Sequence, residues 1–170
     1  MNMQAHSQSD SGKILIAYFS HSGNTQIIAE KIQSAAGGDI FEIRPVKNYP
    51  SGYNAVVDQA KKEIDSNYKP ALETQIADME SYDIIFVGSP DWWSTIAPPV
   101  ASFLSGCNLS GKIIIPFITH EGSAMGHSVA DIKRLSPGST ILEGLPVRGG
   151  AVKKANDDVT KWLRKIKIVN

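Results

Sequence analysis

Cysteine is nearly absent. Cys107 is the single one in 170 residues, which excludes an internal disulfide framework and any cysteine-built metal site. An excess of either charge is also missing, since 17 Lys and Arg balance 17 Asp and Glu. A chain without net charge is not built to hold nucleic acid or an anionic membrane as its main partner. No apolar run is long enough to span a bilayer. Met1 to Gly12 has neither a basic start nor an apolar centre. It reads as a disordered tail rather than a signal peptide or anchor, so a cytoplasmic domain over residues 13–170 is expected. No Gly-x-Gly-x-x-Gly occurs anywhere, which argues against a separate nicotinamide-binding Rossmann site.

What is present describes an ordinary globular domain, 42% hydrophobic and 20% charged, with enough residues for a full core. Lys13–Phe19, Tyr82–Gly88 and Lys112–Thr119 are near-continuous apolar runs, as expected of strands covered on both faces. Asp39–Arg44 alternates and reads as a further strand; Ser139–Leu142 with Gly144–Val147 reads as a broken fifth. Pro116 is awkward in a central strand and is expected at a bulge or a fraying end. Helical spacing recurs after the Ser20–Thr25 turn, over Asn54–Asp65, Pro98–Leu104, His127–Leu135 and Lys154–Ile168. Lys69–Met79 reads as loop with one helical turn. Alternating strands and helices predict a doubly wound α/β fold: five parallel strands in the order 2-1-3-4-5, with helices on both faces. Ligands of such sheets sit beyond the carboxyl ends of the strands. Three strand-to-helix loops meet there: Ser20–Thr25, Ser89–Ala97 and Thr119–Gly126.

The first loop, Ser20-His21-Ser22-Gly23-Asn24-Thr25, joins a strand to a helix through hydroxyls and a glycine. Backbone N–H groups and the positive end of the helix dipole converge there, which makes an anion site. No Lys or Arg lies between Tyr18 and Ile27, so a phosphate would be held by hydrogen bonds and dipole. A helix capped by Ser22 or Asn24, with no ligand, is the alternative. The second loop carries Trp92-Trp93, whose indoles need cover from a flat partner or a neighbouring loop. Successive side chains on an extended segment point in opposite directions, so only one indole can lie on a ring, and Trp93 is the expected one. Gly106-x-x-x-x-Gly111-Lys112 lacks the Ser or Thr of a Walker loop and precedes a strand. Asn108-Leu109-Ser110 is a glycosylation sequon without a secretion signal.

Ser20-x-Ser22-Gly23-Asn24-Thr25 after the first strand resembles the phosphate loop of the flavodoxins. Gly88-Ser89-Pro90-Asp91-Trp92-Trp93 is similar to the second loop of a flavodoxin-like branch with a Pro-x-Trp-Trp element, and Thr119-His120-Glu121-Gly122-Ser123 to its third. The likeness continues through Pro137-Gly138 and Leu142-Glu143-Gly144-Leu145. It implies FMN as cofactor, with Ser20, Ser22, Gly23, Asn24 and Thr25 holding its phosphate. Ser89, Pro90, Trp92 and Trp93 would flank the ring, and Thr119, His120, Glu121, Gly122 and Ser123 would border its other edge. His120, or His127 beside the same loop, is the candidate proton donor.

The function so implied is a flavin-borne electron carrier that serves a redox partner protein or a small-molecule acceptor. An NAD(P)H-dependent FMN oxidoreductase acting on a quinone or nitro-aromatic is the second reading. A phosphate-binding module without flavin is the third. Flavodoxins that dock on basic partners are strongly acidic, and this neutral chain departs from them.

Overall fold

The computed structural model describes residues 12–170. The expected tail lies outside the described residues except for Gly12. The elements follow as β1 (Ile14–Tyr18), α1 (Asn24–Ala36), β2 (Asp39–Glu42), α2 (Tyr53–Asp65), β3 (Ile84–Trp92), β4 (Thr95–Ile96), α3 (Pro98–Ser105), β5 (Ile113–His120), α4 (Ser128–Leu135), β6 (Thr140–Ile141), β7 (Leu145–Arg148) and α5 (Asn156–Lys165). Short 3-10 helices occupy Met79–Ser81 and Gly149–Lys154. The first begins at Met79, the last residue of the expected loop Lys69–Met79. The second ends at Lys154, where the periodicity places the start of the C-terminal helix, and α5 itself begins two residues later at Asn156.

The sheet runs β2-β1-β3-β5-β6, with β7 also on β5 and β4 on β3. All pairs are parallel except β3 with β4. With β6 and β7 as two pieces of one strand, this is the expected 2-1-3-4-5 order. Alternation along each strand feeds two cores. Ile85, Val87, Ile114 and Ile118 pack with Val56 of α2, Val100 and Phe103 of α3 and Ile132 of α4. Phe86, Ile115 and Phe117 pack on the other face with Ile28 and Ile32 of α1 and Val159, Trp162 and Leu163 of α5. Both faces being covered is why these strands read as unbroken apolar runs.

Pro116 is not at a strand end but opposite a bulge in the fifth strand, since Ile114 pairs with Ile141 and Phe117 with Leu145, three steps on β5 against four on its neighbour. It sits mid-strand, in register with Val87 of β3. Alternate residues of β5 turn their backbone groups to opposite neighbours. Ile113 donates to Asp83 on the β3 side, whereas Lys112 and Ile114 accept from Thr140 and Leu142 of the fifth-strand segment. The nitrogen of Pro116 therefore faces the fifth strand, at the break between β6 and β7. A residue with no N–H to give stands where no partner asks for one. The space is closed by Gly144, where an added Cβ would lie 2.9 Å from the Pro116 carbonyl oxygen.

Candidate functional site

Chain order brings the ends of β1, β3, β5 and β7 to one edge of the sheet. At the end of β1, Gly23 takes φ 96 in front of α1 and carries no capping side chain. Two serines close the turn instead: Ser20 Oγ accepts from Gly23 N–H at 3.1 Å, and Ser22 Oγ from Asn24 N–H at 3.5 Å. The first helical bond runs from Ile27 N–H to Gly23 at 3.1 Å, so the N–H groups before it have no helical acceptor. A Cβ built on Gly23 meets nothing within 4 Å. Left-handed backbone and open space together let an oxygen-bearing group approach the peptide closely. Thr25 differs from its neighbours. It is buried, and its Oγ1 lies 2.8 Å from Thr119 Oγ1, a side-chain bond from α1 to β5.

The second loop is not the open loop that Ser89–Ala97 suggests. β3 continues to Trp92 and turns back through Trp93 and Ser94 into β4, pairing Asp91 with Ile96 and Trp92 with Thr95. Trp93 and Ser94 both have positive φ, 55 and 63, the mirror-image two-residue turn that matches strand twist. Such turns are normally announced by Asn-Gly or Asp-Gly, so Trp-Ser gave no sign of it. Ser89 is fully buried; its Oγ accepts from Ala97 N–H at 2.8 Å and donates to the Pro90 carbonyl at 2.8 Å. Its side chain is engaged in closing the hairpin. Pro90 lies in register with Thr119 of β5.

The two tryptophans part as expected. The Trp93 indole N–H donates to Val57 of α2 at 3.0 Å, and Lys61 Nζ stands 5.2 Å over the ring. Trp92 turns to the side of the Ser20–Thr25 loop, edge-on to Phe19 at 5.4 Å, Tyr49 at 4.9 Å and His21 at 5.9 Å. Tyr49 donates to Glu63 at 2.6 Å, and burial followed by that bond pushes its phenol well above the ordinary range. His21 Nε2 is 3.0 Å from the Pro50 carbonyl. Tyr49 and Pro50 read from sequence only as part of a turn. Their place at this rim depends on contacts across the sheet that no local pattern carries.

The third loop is bound to the second. Ser123 Oγ donates to the Asp91 carboxylate, Thr95 Oγ1 donates to Asp131 at the start of α4, and His127 N–H donates to Ser94 at 2.6 Å. His127 thus contributes its backbone to the hairpin contact. His120, the last residue of β5, has a buried Nδ1 with no partner among the described residues. Glu121 accepts at its carbonyl from Arg148 Nη2 at 3.1 Å. Its carboxylate lies against Gly149, where an added Cβ would also stand 2.8 Å from Asn24 Nδ2. Gly122 has only Arg148 near its Cβ position, at 3.5 Å. Arg148 and Gly149 are additions that the sequence did not single out. Among the described residues no group of three His, Cys, Asp or Glu is placed to hold a metal ion, and no helix is long and apolar enough to cross a membrane.

The family model for flavodoxin matches residues 13–166, which takes in all three loops and every element of the sheet. The chain belongs to the flavodoxin family. No curated protein matches this flavodoxin, but solved structures do. A candidate flavoprotein from Bacteroides eggerthii is 31% identical, with TM-score 0.77, covering 94% of this chain and 99% of the other. A flavoprotein from Lactobacillus acidophilus, solved in complex with FMN, is 25% identical with TM-score 0.70, covering 84% and 97%. Flavodoxin 2 from Bacillus cereus, at 20% identity and TM-score 0.53 over 90% and 99%, shares the fold.

Proposed function

We propose that this flavodoxin binds FMN and carries electrons through it to a redox partner protein or a small-molecule acceptor. The observation that carries the reading is the open, cation-free start of α1 at Gly23, with the Trp92 indole 5.9 Å from His21 on the same rim. FMN needs an anion cradle, an apolar wall and hydrogen-bonding groups at a polar ring edge. The residues present fit those needs. The N–H groups of Ser22 and Thr25, with the hydroxyls of Ser20 and Ser22, would hold the phosphate. Trp92 and Pro90 would wall the ring, and the backbone of Thr119 to Ser123 would border its polar edge. The complex of the Lactobacillus acidophilus relative with FMN supports the cofactor. Bound FMN supplies one- or two-electron transfer; the chain binds it, orients it and keeps water from the ring.

The second reading is an NAD(P)H-dependent reductase of quinone or nitro-aromatic acceptors. His120 favours it, because a buried, unpartnered ring nitrogen at the end of β5 is a group free to hold or give a proton. Purification decides between a flavin protein and an empty phosphate module: FMN released by heat is yellow and identifiable by chromatography, and a colourless protein overturns the proposal. Anaerobic mixing with NADPH decides the role. Rapid bleaching without a partner reductase would make the protein an enzyme, and slow bleaching that needs a partner supports the carrier.

A further inference from the structure

The three loops contain two carboxylates, Asp91 and Glu121, and no Lys or Arg. A redox cofactor gains negative charge on reduction, so a rim with this composition alone would resist it. Two cations reach the loops from other elements. Lys61 stands over Trp93 on the α2 side. Arg148 ends β7 in register with His120, and is bonded to the third loop at the Glu121 carbonyl. It is exposed, and none of the ion pairs among the described residues includes it. One guanidinium N–H is thus spent on the third-loop backbone, and no carboxylate among the described residues neutralises its charge. The Glu121 carboxylate, by contrast, turns against Gly149 near Asn24 of the phosphate loop.

The bond Arg148 makes has a directional effect. The Glu121 carbonyl and the Gly122 N–H belong to one peptide unit. Donation by a charged group to the carbonyl polarises that unit and makes the N–H a stronger donor. Gly122 has no side chain to cover that peptide, and its neighbour at the Cβ position is the guanidinium itself, at 3.5 Å.

We infer that Arg148 is a positioning and charge-setting residue for the cofactor: acting through the Glu121–Gly122 peptide, it makes this site hold reduced FMN more tightly relative to oxidised FMN. The inference rests on the FMN reading and goes beyond it, because it assigns the redox balance to a residue outside all three loops.

The test compares full-length parent, Arg148→Gln, Arg148→Lys and Lys61→Met, each loaded with FMN. Two quantities are measured: affinity for oxidised FMN by fluorescence titration, and midpoint potential by spectroelectrochemistry. Arg148→Gln keeps a donor and removes the charge. It should lower the ratio of reduced to oxidised affinity roughly tenfold, the effect of one unit charge at partly screened range. Arg148→Lys should restore most of that ratio, and Lys61→Met should change it less than about twofold, since its charge lies on the outer side of the hairpin. An unchanged potential in Arg148→Gln, or an equal fall in the Lys variant, overturns the inference while leaving FMN binding intact. A parent that binds no FMN overturns both this inference and the proposed function.

Discussion

Thr25 and Thr119 satisfy one another across a buried gap, which makes them separable probes of stability and binding. Replacing either one with Val leaves a buried hydroxyl alone and should destabilise the fold by about 1–3 kcal/mol, whereas the double replacement should come close to the parent. Binding should respond differently. Loss of the Thr25 hydroxyl should weaken FMN by about 1.5–3 kcal/mol if it also touches the phosphate. Loss of the Thr119 hydroxyl alone should leave affinity near the parent value. Equal losses would show that the pair acts on the cofactor only through the fold. Trp92→Ala should raise the fluorescence of bound flavin more than Trp93→Ala, because a stacked indole quenches it and Trp92 is the one beside His21. The opposite result would make Trp93 the ring partner. A third residue-level expectation concerns pH. The Tyr82 hydroxyl donates to Asp39 at 2.6 Å, and that bond, with burial, pushes its phenol up to about 12. The folded value lies above the unfolded one, near 10. This contribution is therefore complete below pH 10 and drains away as pH rises toward 12. Urea midpoints across that range should fall less steeply for Tyr82→Phe than for the parent.

Among the elements, the β3–β4 hairpin and the third loop behave as one body, joined at Ser94 to His127, Asp91 to Ser123 and Thr95 to Asp131. Gly126 permits the contact: its φ is 49, and an added Cβ would collide with the Ser94 carbonyl. Gly126→Ala should destabilise by about 1–3 kcal/mol through overpacking. It should also loosen hairpin and loop together, as hydrogen exchange at both would report. Ser94→Gly should do the reverse, relieving a positive φ that costs a non-glycine residue about 1 kcal/mol. These elements also mark where the sequence was legible. The Ser20–Thr25 turn could be read because it is built from neighbours, Ser20 with Gly23 and Ser22 with Asn24. The parallel order could be read because burial on both faces writes itself as apolar runs. The hairpin could not, since its turn is made by Trp93-Ser94, held by partners 30 or more residues away. Arg148 escaped because its partner Glu121 lies on another strand-end loop, and Tyr49 because its place beside Trp92 is set across the sheet.

For the molecule as a whole, zero net charge means that long-range steering is weak. At the rim itself the Asp91 carboxylate is engaged by Ser123, and the Arg148 guanidinium bonded to the Glu121 carbonyl brings a positive charge to the same loop. The rate of reduction by a partner protein should therefore change little between low and high ionic strength. A steep fall with salt, measured by stopped flow, would reveal a charged docking face concealed by the balanced composition. The division of the fifth strand around Pro116 has a consequence of another kind, in the behaviour of concentrated solutions. An outermost strand normally offers its unsatisfied backbone as a template on which a second molecule can grow a ladder. Here one border of the sheet is two short pieces with a proline-matched gap, and the other, β2, is four residues long. Neither offers the continuous ladder from which fibrils nucleate, so the protein should stay dispersed when crowded even though Ile40 of β2 is exposed.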